Sequence, residues 1–189
     1  MPTYNTASNV SAGKPKITGA IWVAPKGTTL PTDTTTALDA SFACLGYCSD
    51  AGLVNTTAIE SQDIKAWGGD TVLNIQTSKD DSFKFTLIEV LNDDVLKFVY
   101  GDSNVSGAIA TGLAVSANNL DLPEKAIVID MILRDNTAKR IVIPDAKISN
   151  VGDITYSDNA AIGYETTVKC IPDSNGNTHY EYFKKPASA

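Results

Sequence analysis

The sequence predicts a mainly β protein, a sandwich or barrel of about ten strands with one short flanking α-helix. Three observations predict it. Short apolar runs alternate with polar residues along most of the chain, and Gly, Pro, Asn and Asp turn signals separate them. One hairpin is clear from its pattern: 126–133 (AIVIDMIL) and 140–143 (RIVI), joined by the polar segment 134–139. And one segment, about 93–100, changes to helical spacing.

The totals fit this class. A chain of 189 residues suits one domain. Such a chain buries about 70% of its unfolded surface, so it needs no staples. The net charge is −7 and the pI about 4.6. That balance argues against stable binding to DNA or to anionic membranes, which needs clustered Lys and Arg. The apolar runs are too short to span a membrane, so no membrane insertion is expected. Residues 1–16 are polar, without the apolar core of a secretory signal, and read as a flexible N-terminal arm.

Taken in order, 17–24 is the first strand and contains Trp22. Segment 25–41 (PKGTTLPTDTTTALDAS) holds two prolines and six threonines and few large apolar side chains. Loops of that length are usually functional or disordered. It reads as a polar assembly loop, ordered by contact with another subunit. Its candidate contact residues are Lys26, Thr28, Thr29, Leu30, Thr32, Asp33 and Leu38. Strands follow at 42–48 and 53–59, separated by a turn at Asp50-Ala51-Gly52. Trp67-Gly68-Gly69-Asp70 is a turn into a strand at 71–77, and Lys79-Asp80-Asp81 is expected to turn the chain again.

In the next segment Phe83, Phe85 and Leu87 alternate as a half-buried strand does. Then Val95, Leu96 and Val99 recur at helical intervals. Asn92 is the expected N-cap, Asp93 and Asp94 suit the positive helix start, and Gly101 suits the C-cap. After a loop at 101–108, a strand is expected at 109–116, and 118–123 is a break.

In the hairpin, Ile127, Ile129, Met131 and Leu133 share one face, and Val128, Asp130, Ile132 and Arg134 the other. That pattern suits a strand between a core and a second surface. Asp130 stands in mid-strand among apolar residues. Either it faces a solvated channel, or it pairs with Arg140 or Arg134 across the hairpin. Pro144 is expected to end the run. Short strands follow at 146–151 and 153–156, then a strand at 164–171. A turn at 173–177 contains Asn175-Gly176, and 179–183 (HYEYF) pairs back. Residues 184–189 form a C-terminal tail, which leaves 17–183 as a single β-rich domain.

Catalytic and metal chemistry are poorly supplied. There is one histidine, His179, so a His-rich metal site is impossible. The three cysteines, Cys44, Cys48 and Cys170, read as small buried hydrophobes, with a metal pair or disulfide as the alternative. No phosphate loop and no nucleophile elbow is present. Asp80-Asp81 and Asp93-Asp94 are better explained by a turn and a helix start than by glycosidase chemistry. The chain is expected not to be an enzyme and to take no cofactor.

Several segments in order resemble a known family. They are a first strand ending in Ala24-Pro25, then FACLGYCSDAGL (42–53), IKAWGGD (64–70), DSFKFTLIE followed by VLKFVYG (81–101), RIVIPDA (140–146) and AIGYETTV (161–168). This series, over roughly residues 17–183, is similar to siphophage major tail proteins, the tail-tube family. The resemblance implies a tail-tube type β-sandwich or barrel with one flank helix. It implies a structural virion protein, made and assembled in the host cytoplasm. Homohexameric rings would stack around a tape-measure protein, capped by a tail terminator, and double-stranded DNA would pass the bore during ejection without specific binding. An acidic wall would repel the phosphate backbone, and Asp130 is the candidate bore-facing acid. Two alternatives remain at this level: the tube subunit of a contractile tail or secretion system, and a carbohydrate-binding β-sandwich module.

Overall fold

The computed structural model describes residues 5–186. Residues 1–4 and 187–189, the ends of the expected arm and tail, lie outside the described residues. Strand accounts for 47% of the described residues and helix for 9%, so the protein is mainly β. The centre is the hairpin legible in the sequence. β8 (Lys125–Ile132) pairs antiparallel with β9 (Ala138–Val151), with Val128 opposite Val142 and Asp130 opposite Arg140. On one side β8 takes β2 (Ile21–Pro25), which takes β3 (Ala43–Cys44). On the other, β9 takes β10 (Tyr164–Cys170), then β5 (Thr71–Leu87) and β4 (Cys48–Lys65).

Alternation along β8 and β9 gives the sheet two apolar faces. One face holds Ile127, Ile129, Ile141 and Ile143, packed with Phe83, Phe85, Leu87 and the one α-helix among the described residues, α1 (Asp93–Tyr100). The helix is built as its sequence predicts. The Asn92 side chain accepts from the Asp94 N–H at 3.0 Å. At the other end Gly101, at φ 97°, donates its N–H to the Lys97 carbonyl. Val95, Leu96, Phe98 and Val99 are buried, and Phe98 stacks on Phe85. The second face holds Ala24, Ala126, Val128, Val142 and Phe42, covered by Leu30 and Leu38 from the Thr-rich loop.

The structure corrects several expectations. The turn at Lys79-Asp80-Asp81 is absent: β5 runs unbroken through it, opposite Thr57, Ala58 and Ile59 of an equally long β4. Antiparallel pairing satisfies those backbone groups, Asp80 is solvent-exposed, and buried Asp81 is tolerated because two hydroxyls donate to it. Pro144 does not end its strand. It lies where the β8–β9 register shifts, between the stretches of β9 that pair with β11 (Tyr180–Lys184) and with β10. A residue without an N–H fits an irregularity of this kind. β11 itself pairs with β9 rather than back onto β10. The small residues near 105–116 make a separate hairpin, β6 (Val105–Ala108) and β7 (Gly112–Val115), where one strand after a loop was expected. No strand forms at 153–156.

The expected arm is also tied down where it is described. β1 (Lys14–Pro15) pairs with Met131 and Ile132 of β8. Arg134 donates its backbone N–H to the Ser11 hydroxyl and a guanidinium N–H to the Ala7 carbonyl.

Candidate assembly surface

Two features stand out from the compact sheet. The first is the β4–β5 hairpin. Residues 54–77 are exposed on both strands, and burial resumes at Asp81 and Phe83. The ten residues 71–80, at about 3.3 Å each, carry the tip roughly 30 Å beyond the core. Exposure here is not that of a polar arm. Ile64 lies opposite Leu73, and Ile75 shares the face of Leu73 two residues on. All three are about half exposed, and Trp67 at the tip is 107% exposed. The tip closes with the Gly69 N–H donating to the Ala66 carbonyl and the Ala66 N–H donating to that of Asp70.

The foot of the hairpin is fixed by a buried acid. Asp81 accepts from the Thr57 hydroxyl of β4 and the Thr178 hydroxyl of the β10–β11 connection, both at 2.5 Å. Burial pushes its carboxyl upward, but donation from Thr178 and Thr57 outweighs this, and the net direction is below the usual range. His179, the lone histidine, stands edge-on to Phe83 with Nδ1 3.8 Å from Asp81. A second tie joins two of the recognised segments. Glu89 accepts from the Tyr47 N–H at 2.8 Å and from Asn92 at 3.1 Å. Gly46, at φ 69°, leaves the room, since a Cβ there would collide with the Glu89 carboxyl.

The second feature is the loop at 26–41. It makes several contacts with its own chain. Leu30 and Leu38 pack on the second apolar face. Asp33 accepts from the backbone N–H of Thr36 and of Thr35, each at 2.6 Å, which holds its carboxyl well below the usual carboxylate range. Lys26 forms ion pairs with Asp145 and Glu124, and hydrogen bonding to Asp145 and then Glu124 raises it to about 12. Thr28 turns back on the Pro25 carbonyl at 2.8 Å, and Thr29 and Thr32 are exposed.

Arg140 anchors the loop to the sheet. Its Nε and Nη2 clamp the two Asp130 oxygens at 2.6 and 2.9 Å, and its Nη1 donates to the carbonyls of Asp33 and Thr36 at 3.0 and 2.7 Å. Of the alternatives for Asp130, the structure therefore has the pair with Arg140. Asp130 is 5% exposed and Arg140 3%, with Lys16 at 3.5 Å. A carboxylate neutralised and covered in this way offers little charge to a bore, and its position in mid-strand is explained by the anchor.

Cys44, Cys48 and Cys170 are free thiols, and no cluster suited to a metal occurs among the described residues. No helix among the described residues is long and apolar enough to cross a membrane.

The geometry is that of a covered sheet with a projecting, apolar-edged hairpin. The sequence profile described as phage tail tube protein matches residues 3–188. The chain belongs to the phage tail tube protein family. That family is structural and non-catalytic, and its members build a tube in the virion. In structure, this tail tube chain is similar to a chain of the "anti-feeding prophage cap (AFP tube terminating cap)", at 8% identity and a TM-score of 0.42 over 95% of this chain and 98% of that one. Comparison with curated proteins gives no match.

The hairpin is what reading the sequence missed. Its signal was present: 53–65 and 71–87 contain no Gly or Pro, so nothing in either stretch breaks a strand.

Proposed function

We propose that this tail tube subunit forms homohexameric rings that stack into the tube of a non-contractile siphophage tail. The tube encloses a tape-measure protein, ends at a tail terminator, and carries double-stranded DNA during ejection. The observation that carries the reading is the β4–β5 hairpin. A monomer has no use for roughly 30 Å of two-stranded ribbon with half-exposed Ile64, Leu73 and Ile75, and an isolated two-stranded ribbon is marginally stable in water. Neighbouring subunits in a ring or stack cover such a ribbon and its free β4 edge. The exposed crest of the 26–41 loop, with Thr29 and Thr32, adds a contact between rings.

The net charge of −7 supports an acidic bore that DNA slides past without ion pairing. Assembly takes place in the host cytoplasm, and the subunit does not insert into membranes.

Negative-stain electron microscopy of the concentrated protein tests this. Six-fold rings or tubes are expected. A second sample with residues 59–79 replaced by a short turn, which keeps Thr57 on Asp81, should remain folded and monomeric. A wild-type particle that stays monomeric at every concentration and salt condition overturns the reading. So does a strongly basic bore in a solved tube.

A further inference from the structure

The Thr-rich loop does not lie flat on the sheet. Between them is an open cavity of about 600 Å³, lined by Lys16, Trp22, Leu38, Asp39, Phe42 and Arg140. Trp22, Leu38 and Phe42 give it an apolar part and Thr34, Thr35 and Thr36 a polar one, and Lys16 and Arg140 stand at it with their shared ion-pair partner Asp130. That chemistry suits an aromatic ring, through apolar contact with Trp22, Phe42 and Leu38 and cation–π attraction from Lys16. Among the described aromatic side chains the one most exposed is Trp67 at the hairpin tip, ahead of Tyr47, Tyr156 and Phe183.

We propose that Trp67 of one subunit docks into the cavity beneath the 26–41 loop of a second copy of this chain. The inference rests on the self-assembly proposed above and names the contact that drives it. Two observations set the two parts far apart on one subunit, which leaves the contact to a second copy. The strand order runs β3-β2-β8-β9-β10-β5-β4, so four strand spacings, roughly 19 Å, separate β5 from the β2 side that carries the cavity. The hairpin then carries Trp67 a further distance from the sheet. Knob and hole at different places on one subunit form a heterologous contact, and repetition of such a contact generates rings or filaments rather than a closed pair.

Charge agrees with this pairing. Lys65 lies two residues before Trp67, and Asp39 is an exposed anion at the cavity rim, its carboxyl held low by the Ser41 N–H at 2.9 Å. On the other side Asp70 closes the tip, and Lys16 stands at the cavity. A tip carrying one charge of each sign meets a rim that does the same. The Gly68-Gly69 pair, at φ 122° and 102° with open space around both, keeps the tip narrow enough to enter.

The test uses full-length protein. Wild type is first assembled and imaged, and its critical concentration measured by sedimentation. Trp67→Ala is expected to fold with an unchanged thermal midpoint and to need at least ten-fold more protein to assemble. Ala37 also lines the cavity, and Ala37→Trp, which fills it, is expected to do the same. In assembled material, Ala66→Cys with Ala37→Cys should give an inter-subunit disulfide ladder on a non-reducing gel, lost when either cysteine is absent. Normal assembly of Trp67→Ala overturns the docking while leaving the tube reading intact. Impaired assembly without the ladder overturns the cavity as the receptor. Wild type that never assembles overturns both.

Discussion

Substitution of Asp130 by Ala removes one half of a buried clamp and leaves the other in place. Arg140 is 3% exposed and loses both of its carboxylate bonds, while Lys16 adds a second positive charge nearby. Breaking a buried pair from one side typically costs about 3–5 kcal/mol, because the remaining charge is desolvated and unpaired. Against a total of about 5–15 kcal/mol, that is a large fraction. At roughly 2–4 °C per kcal/mol for a chain of this size, the melting midpoint should fall by about 6–20 °C.

The loop gives a second readout of the same clamp. Arg140 also holds the Asp33 and Thr36 carbonyls, so Asp130→Leu with Arg140→Met should recover most of the global stability yet release the loop. Urea unfolding measures the first effect. Limited thermolysin digestion measures the second, as new cleavage beside Leu30 or Leu38 with the core still folded. The reasoning is refuted if Asp130→Ala costs less than about 1 kcal/mol, since buried-pair energetics would not apply. It is also refuted if the double variant keeps the loop protected, since Leu30 and Leu38 alone would then hold it.

Asp81 should make stability depend on acid. Its folded carboxyl lies below the usual range, so its contribution is present above the unfolded value of about 3.9 and is lost as pH falls through the folded value. Below about pH 4, wild type should therefore lose stability more steeply than Asp81→Asn in pH-dependent urea titrations. At the helix start, Asn92→Ala should destabilise by about 0.5–2 kcal/mol, read by circular dichroism during unfolding. Deletion of Lys26 to Ala40 uncovers Phe42, Val128 and Val142, so this variant should bind a hydrophobic dye and melt early rather than fold as a clean monomer. The Cys170 thiol is pushed up to about 12 by burial, and mass spectrometry should find it unalkylated at pH 8 until the protein is unfolded.

The helix was the most legible element. Its limits are set by local chemistry: an Asn92 side chain that caps, two acids in the first turn, and a Gly101 that accepts positive φ. The β8–β9 hairpin was legible for a similar reason, because alternation assigns Ile127 and Ile129 to one face and Val128 and Asp130 to the other whatever lies beyond. Strand length was not legible. Lys79-Asp80-Asp81 carries the residues of a turn, and only pairing with Thr57, Ala58 and Ile59 keeps it extended. Nor was the partner of β11, since β10 and β9 offer equivalent backbone groups to a returning chain.

The loop shows the same division. Its composition marked 25–41 as unusual, but composition does not say where order comes from. Leu30 and Leu38 are two apolar residues among many polar ones, and they become cover for a second core only because β8 and β9 present Val128 and Val142 outward. Asp130 stood out in the sequence as an acid among aliphatics, with a channel and an ion pair both open to it. The antiparallel register decided between them by setting Arg140 directly opposite. By itself, then, the sequence determined the class, the helix and the faces of the central hairpin, because periodicity and capping act over a few residues. The tertiary structure decided the reach of the β4–β5 hairpin, the order of the loop and the pairing of Asp130, because each depends on groups beyond the reach of local periodicity: Thr57 and Asp81 or Leu38 and Val128 are tens of residues apart, and Arg140 stands across a strand register from Asp130.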